Sequence, residues 1–263
     1  MDDQTPDPPR VFANRFAADT VGASRGRAGE VCLRQRNATV RFHGERQDTS
    51  SPGWRRLLDL IDEAAADGRD VFRPLVDLTP AERADLVTLP PTIAKLTRVK
   101  HLVLYSSPLV RIPPQIGAMT SLELFEPYTS YSLHWFPYEL ARCTNLRDST
   151  VSTRALYGNF KHRAAFPRLQ PDGDIADLPD RGNLDPRVWG SETIVRCSVC
   201  DGPIEPVHFR QRWISLRVAT DVLPLLVNAC SDRCVQSLPA PPKDYVATPH
   251  QGGRDLRQPK PHW

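Results

Sequence analysis

Four of the six cysteines fall into two pairs, Cys197-Ser198-Val199-Cys200 and Cys230-Ser231-Asp232-Arg233-Cys234, with Cys230 standing 30 positions after Cys200. Thiolates at these spacings are the ligand set of a closed tetrahedral metal site. Zinc suits four sulfurs because it accepts that geometry with no redox change. The opening residues MDDQTPDPPR are acidic and proline-rich, without the basic start or apolar stretch of an export signal. A cytoplasmic setting is therefore expected, where disulfides are disfavoured. One structural zinc ion held by Cys197, Cys200, Cys230 and Cys234 follows. Four sulfurs leave no open coordination position, so the ion is expected to hold structure and not to catalyse. His208 is the nearest substitute ligand, although a histidine on an alternating strand more often lies on a surface.

The elements around these pairs must bring them together. Gly202 sits two residues after Cys200, where a tight knuckle needs a residue free of the Cβ restriction. Between the pairs, Val207, Phe209, Ile214, Leu216 and Val218 alternate with polar residues, which suits two short strands. Ser231 to Leu238 is predicted as a short helix stopped by Pro239. Knuckle, hairpin, then Cys-x3-Cys at a helix start resembles the treble-clef zinc fold. Arg196 and Arg233, beside the ligands, offset the excess negative charge of such a site. Metal affinity is also folding free energy in small modules, so stripping zinc is expected to unfold residues 191–240 and spare the rest.

The second pattern is a repeat. Leu89-Pro90, Ile112-Pro113 and Phe136-Pro137 stand 23 and then 24 residues apart. Each pair precedes a spaced apolar series. In the first it is Ile93, Leu96, Val99, Leu102 and Leu104, in the second Ile116, Met119, Leu122 and Phe125, and in the third Leu140, Cys143, Leu146 and Val151. Apolar residues two apart suit a short strand, and the three-residue spacing suits a helical or 3₁₀ return. Stacking such units buries the hydrophobic face that each leaves bare. The stretch LPPTIAKLTRVKHLVLYSSPLVRIPPQIGAMTSL resembles the leucine-rich repeat family in its bacterial form, over residues 71–152. A degenerate first unit is read in PLVDLTPAERADLVTLP, with Val76 and Leu78 inward. The resemblance implies a hydrogen-bonded ladder of turn residues between units, with Ser107 and Ser130 where the family has Asn.

The fold class expected is therefore α/β: a short leucine-rich repeat solenoid with an N-terminal cap and a small C-terminal zinc-binding domain. Residues 1–10 are expected to be disordered. Residues 11–70 form the cap, with two strand-like runs, Val31 to Gln35 and Thr39 to Phe42, and a helix. That helix has Ser51 as N-cap, Pro52 first, Trp54, Leu57, Leu58 and Ile61 on one face, and Gly68 as its stop. Residues 71–166 carry the repeats and their closure, with Tyr157, Phe160 and Phe166 over the open end of the core. Residues 167–190 read as a linker, 191–240 as the Cys₄ module and 241–263 as a disordered tail too poor in apolar residues to fold.

Net charge is +3, so no global field dictates a nucleic-acid partner. No apolar run approaches the ~20 residues of a membrane span. Only five of the 34 basic residues are Lys, a bias of GC-rich bacterial genomes. Phosphate-cradling glycine loops, Gly-x-Ser-x-Gly elbows and His-Glu-x-x-His helices are absent from the sequence, so a non-catalytic protein is expected. The surface expected to act is the concave strand face: Asp77, then His101, Val103 and Tyr105, then Glu126 and Tyr128, then Asp148, Thr150 and Ser152. Tyrosine with scattered charge is the chemistry of a contact with another protein or peptide. The alternative is nucleic-acid binding through the zinc module and the segment 10–46, where eight Arg face three acidic residues. Cys143 reads as a small buried hydrophobe, and Cys32 as a residue on the apolar side of a strand.

Overall fold

A computed structural model of the 263-residue chain describes residues 42–169, 172, 194–205 and 209–260. Cys32, His208, the two strand-like runs before Phe42 and most of the 167–190 linker lie outside the described residues. The strands are β1 (Val71–Phe72), β2 (His101–Val103), β3 (Leu124–Glu126), β4 (Phe136–Pro137), β5 (Asp148–Ser149), β6 (Arg210–Val218) and β7 (Asp221–Ala229). The α-helices among the described residues are α1 (Pro52–Asp67), α2 (Pro80–Ala84) and α3 (Asp232–Gln236). The architecture is mixed α/β, with a four-stranded parallel sheet in the order β1-β2-β3-β5 and a three-stranded sheet in the order β4-β7-β6.

The parallel sheet follows directly from the spaced apolar residues. Val71, His101, Leu124 and Asp148 stand in one register row, and Phe72, Leu102, Phe125 and Ser149 in the next. The second row points inward and is buried. Behind it, 3₁₀ turns at Pro91–Lys95, Pro114–Ala118 and Tyr138–Arg142 carry the chain back. Each closes with the same bond, from the N–H of Leu96, Met119 or Cys143 to the carbonyl of Ile93, Ile116 or Leu140. With three residues per turn these side chains stack on one edge, so Ile93, Ile116, Leu140, Leu96 and Met119 are all fully buried.

The first strand departs from expectation. Val76 and Leu78 are the inward residues expected of it; Leu78 is buried in the core, but the strand is Val71–Phe72, and Val76 is 64% exposed at the end of a 3₁₀ turn, Pro74–Val76. Pro74 has no N–H to give a ladder and has φ fixed for a turn. Thr79 and Glu82 then form a reciprocal capping box that starts α2, so the following residues are committed to a helix. Asp77 therefore lies off the sheet, exposed beyond the turn.

Helix α1 is as the sequence specifies. Ser51 Oγ accepts from Trp54 N–H, and Gly68 ends the helix at φ 65° with its N–H on the Ala64 carbonyl. Trp54, Leu57, Leu60, Ile61 and Ala64 face the core, while Leu58 is half-buried.

The C-terminal region packs into the same core as the parallel sheet. β7 pairs antiparallel with β6 along their whole length and parallel with β4 on its other edge. Leu57 of α1, Leu102 of β2, Phe136 of β4, Val227 of β7, Cys197 and Cys234 belong to one continuous core. The β6–β7 turn also caps the last strand of the parallel sheet: Thr220 Oγ1 donates to the Ser149 carbonyl at 2.8 Å and accepts from Ser149 N–H at 3.1 Å. That end of the core is thus closed by the hairpin. Tyr157 and Phe166, expected to close it, instead form a second cluster with Phe42, Trp135 and Trp213, and Phe160 is exposed.

The tail also differs from its composition. His250 exchanges both backbone hydrogen bonds with Trp213, at 2.8 and 3.0 Å, extending the β6 edge. Arg163 lies over the Tyr245 ring and bonds the Asp244 carbonyl, and Gln258 bonds the carbonyls of Arg163 and Ala164. Few apolar residues suffice here because the aromatic cluster beneath supplies the apolar surface and the β6 edge supplies partners for the backbone.

Candidate functional site

The four cysteines come together at the edge of the shared core. Their sulfurs all lie within 4.8 Å of one another, with Cys200 and Cys234 each 3.6 Å from Cys230. A tetrahedral ion with Zn–S bonds of about 2.3 Å has sulfur–sulfur edges of about 3.8 Å, so spacing and donor set both fit a four-thiolate metal site. Cys197 and Cys234 are buried, Cys230 is half-buried and Cys200 is exposed.

Local structure explains each position. The first pair sits in a tight knuckle in which Cys197 N–H donates to the Gly202 carbonyl and Asp201 N–H to the Cys197 carbonyl. The left-handed residue of this knuckle is Asp201, at φ 59°. Gly202 itself is not left-handed; a Cβ there would stand 3.3 Å from Cys200 Sγ, a tight approach to that sulfur. The second pair follows β7 directly. Ser231 caps α3 by accepting from Cys234 N–H, which fixes Cys234 one turn beyond Cys230. Backbone N–H groups of Val199 and Cys230 both point at Cys197 Sγ at 3.4 Å, an arrangement that stabilises a thiolate. A bond from Gly202 N–H pulls Cys200 down to about 7, whereas burial pushes Cys230 up to about 12. Metal binding must displace the Cys230 proton.

Outside the ligands, two side chains of the Tyr138–Arg142 turn grip the knuckle. Arg142 donates to the carbonyls of Cys197 and Ser198 at 3.1 and 2.8 Å and pairs with Asp201 at 3.0 Å. Glu139 accepts from the Ser198 hydroxyl, which itself accepts from Asn228 N–H at 2.9 Å. Sequence reasoning missed both residues because nothing in a 3₁₀ turn marks a partner 59 positions away. Arg196 bonds Asp201.

The outward rows of the parallel sheet form the second candidate surface. His101 Nε2 lies 3.0 Å from Glu126 Oε2, and Val103 stands opposite Glu126. Beyond the strands Tyr105 and Tyr128 pair with ring centroids 5.9 Å apart, and both are exposed, as is Tyr131. Asp148 and Thr150 are exposed at the far edge. Two residues of this face went unnoticed, Val71 and Leu124, although Leu124 stands 23 positions after His101 and the repeat length alone locates it. Ser152, expected on the face, is buried and accepts from Thr129 N–H at 2.7 Å.

Cys143 is buried with its thiol on the Ile116 carbonyl, and burial pushes it up to about 12, which suits a packing residue. No helix among the described residues is long and apolar enough to cross a membrane. Comparison with known proteins finds no matching family model and no matching curated protein.

Proposed function

We propose that this is a non-catalytic interaction protein: a short leucine-rich repeat solenoid that offers its strand face to another protein or peptide, with a zinc ion holding its C-terminal end. The reading rests first on the exposed Tyr105–Tyr128 pair beside the His101–Glu126 pair. Tyrosines give large contact area at low entropic cost, and polar groups beside them set orientation. The repeat assignment is supported by register rows that advance 23 residues from His101 to Leu124 and 24 from Leu124 to Asp148, with a 3₁₀ return each time. The buried Ser107–Ser130 bond, 2.7 Å between hydroxyls, supports it further, since it occupies the turn where the resemblance implies a ladder. Zinc is the metal of choice for four thiolates spaced for tetrahedral ligation.

The test compares proteins retained by the wild-type chain and by Tyr105→Ala/Tyr128→Ala, each immobilised with its thermal midpoint verified. A partner held by wild type and released at least tenfold faster by the double variant supports the strand face. An identical retained set for both proteins removes the proposal.

A further inference from the structure

A column of buried polar residues runs down the back of the parallel sheet: Thr88, Arg111 and His134, each 23 positions after the last and each no more than 2% exposed. One extended stretch, residues 42–47, lies across all three. Gln47 Oε1 accepts the N–H groups of Val87 and Thr88 at 2.7 and 3.2 Å. Arg111 donates to the Glu45 carbonyl. The His43 ring stacks on His134, centroids 5.1 Å apart and 8° from parallel, and Phe42 stacks on Trp213. The stretch is therefore pinned once to each successive segment, and its third pin is two imidazoles face to face.

We infer that residues 42–47 form an acid-released latch, in which protonation of the stacked His43–His134 pair frees the stretch from the back of the sheet while β2 and β3 stay paired. His134 Nδ1–H donates to the Ala155 carbonyl at 2.6 Å, so its other nitrogen is unprotonated, buried and without a hydrogen-bond partner. A proton there has no acceptor to meet. The charged and titratable groups facing it are His43 and Glu45 from the stretch itself and Tyr157 from the turn after β5, ring centroid 5.3 Å away. Arg111, bonded to the Glu45 carbonyl, brings a further positive charge to the same interface. The Glu45 carboxylate lies 3.2 Å from His43 Nδ1. A proton on His134 would thus set an imidazolium face to face with the His43 ring and leave its new N–H without an acceptor.

Opening returns both rings to water, where imidazole titrates near its ordinary value. Burial, followed by the His43 charge, holds closed His134 at about 4 against 6.5 in water. The sign is fixed by this lowering: the closed form is fully favoured above the ordinary value and is weakened as pH falls toward 4. Between about pH 7 and pH 4.5 the ratio of open to closed rises roughly fiftyfold for this one group.

A glutamyl endopeptidase active at neutral and mildly acid pH reads the latch through cleavage after Glu45 in the full-length, metal-loaded chain. After correction by an unstructured peptide, cleavage at Glu45 is expected to rise roughly fiftyfold over that interval while Glu126 in β3 stays uncut. His134→Gln keeps a donor for the Ala155 carbonyl without titrating, and flattens the response. His250→Gln, in the tail, leaves it as in wild type. If His134→Gln does not fold, His43→Gln removes the same repulsion and must reduce the rise. Equal acceleration in the glutamine variants, no acceleration in wild type, or simultaneous cleavage at Glu126 would overturn the inference.

Discussion

Glu139 shows how one side chain ties the cysteine knuckle to the parallel sheet. The residue is 5% exposed, and its carboxyl receives the Ser198 hydroxyl and leaves Oε2 without a hydrogen-bond partner. Burial raises its pKa above the ordinary carboxylate range, against weaker help from Ser198 and Arg142. The folded chain therefore holds a proton that the unfolded chain has lost, across the window above the ordinary value of 4.5. Stability must fall as pH rises through that window and level off once the folded group has ionised. Glu139→Gln keeps an acceptor for Ser198 and carries no charge to desolvate. It is expected to raise stability near neutral pH by roughly 1–2 kcal/mol and to abolish that part of the decline. Denaturant midpoints of both proteins on either side of the window measure it. A variant less stable at neutral pH, with the decline intact, would show that the carboxylate is stabilised by its neighbours.

At the scale of elements, the turns after the strands carry a ladder of their own. Ser106 and Thr129, 23 positions apart, both take left-handed φ, 56° and 60°. That shared backbone turn points Ser107 and Ser130 inward, where Ser130 Oγ donates to the Leu104 carbonyl at 2.9 Å and accepts from Ser107 N–H at 3.0 Å. Ser130→Ala removes the hydroxyl that bridges the Ser107 N–H and the Leu104 carbonyl but leaves their direct 3.2 Å bond, and is expected to cost about 1 kcal/mol. Ser107→Ala is expected to cost less, because Ser130 keeps its two backbone bonds. Equal costs in urea unfolding would contradict the ladder geometry. The ladder was legible because two serines recur at the repeat spacing, and the 3₁₀ returns because their buried residues recur every third position. The stretch 42–47 was not. Its partners lie 38 to 41 positions away for Gln47 and 66 for Glu45, and no local periodicity encodes such contacts. The first strand was misread for the opposite reason: Val76 and Leu78 alternate correctly, but Pro74 and the Thr79–Glu82 capping box override the alternation.

For the molecule as a whole, the cysteine spacing was enough to place four sulfurs together, whereas the role of the surrounding module was hidden because it depends on long-range pairing of β7 with β4. From sequence alone, residues 191–240 are expected to unfold on metal loss while the repeats stand. In the fold they are the end wall of the core: β7 runs from Ala229, next to Cys230, back to Asp221, and the adjoining Thr220 holds Ser149 of the last parallel strand. Val218, Leu223, Leu225 and Val227 pack in the same core as Leu104, Phe125 and Leu140. If the four cysteines hold an ion, its loss would leave sulfurs crowded at 3.6 Å with buried Cys197 and Cys234 to be rehydrated, and would loosen the end of β7 next to Cys230. Metal binding contributes on the order of 10 kcal/mol in isolated zinc peptides, and a chain of this size loses about 2–4 °C of Tm per kcal/mol. Chelation, or Cys197→Ser, is therefore expected to lower the Tm by at least about 10 °C in a single transition that includes the parallel sheet. Hydrogen exchange distinguishes this from a detachable module. Amides of Leu102–Leu104 and Phe125 must lose protection together with those of β6 and β7 when metal is removed. Continued protection of β2 and β3 beside an exchanged hairpin would mean that the parallel sheet stands without its C-terminal wall.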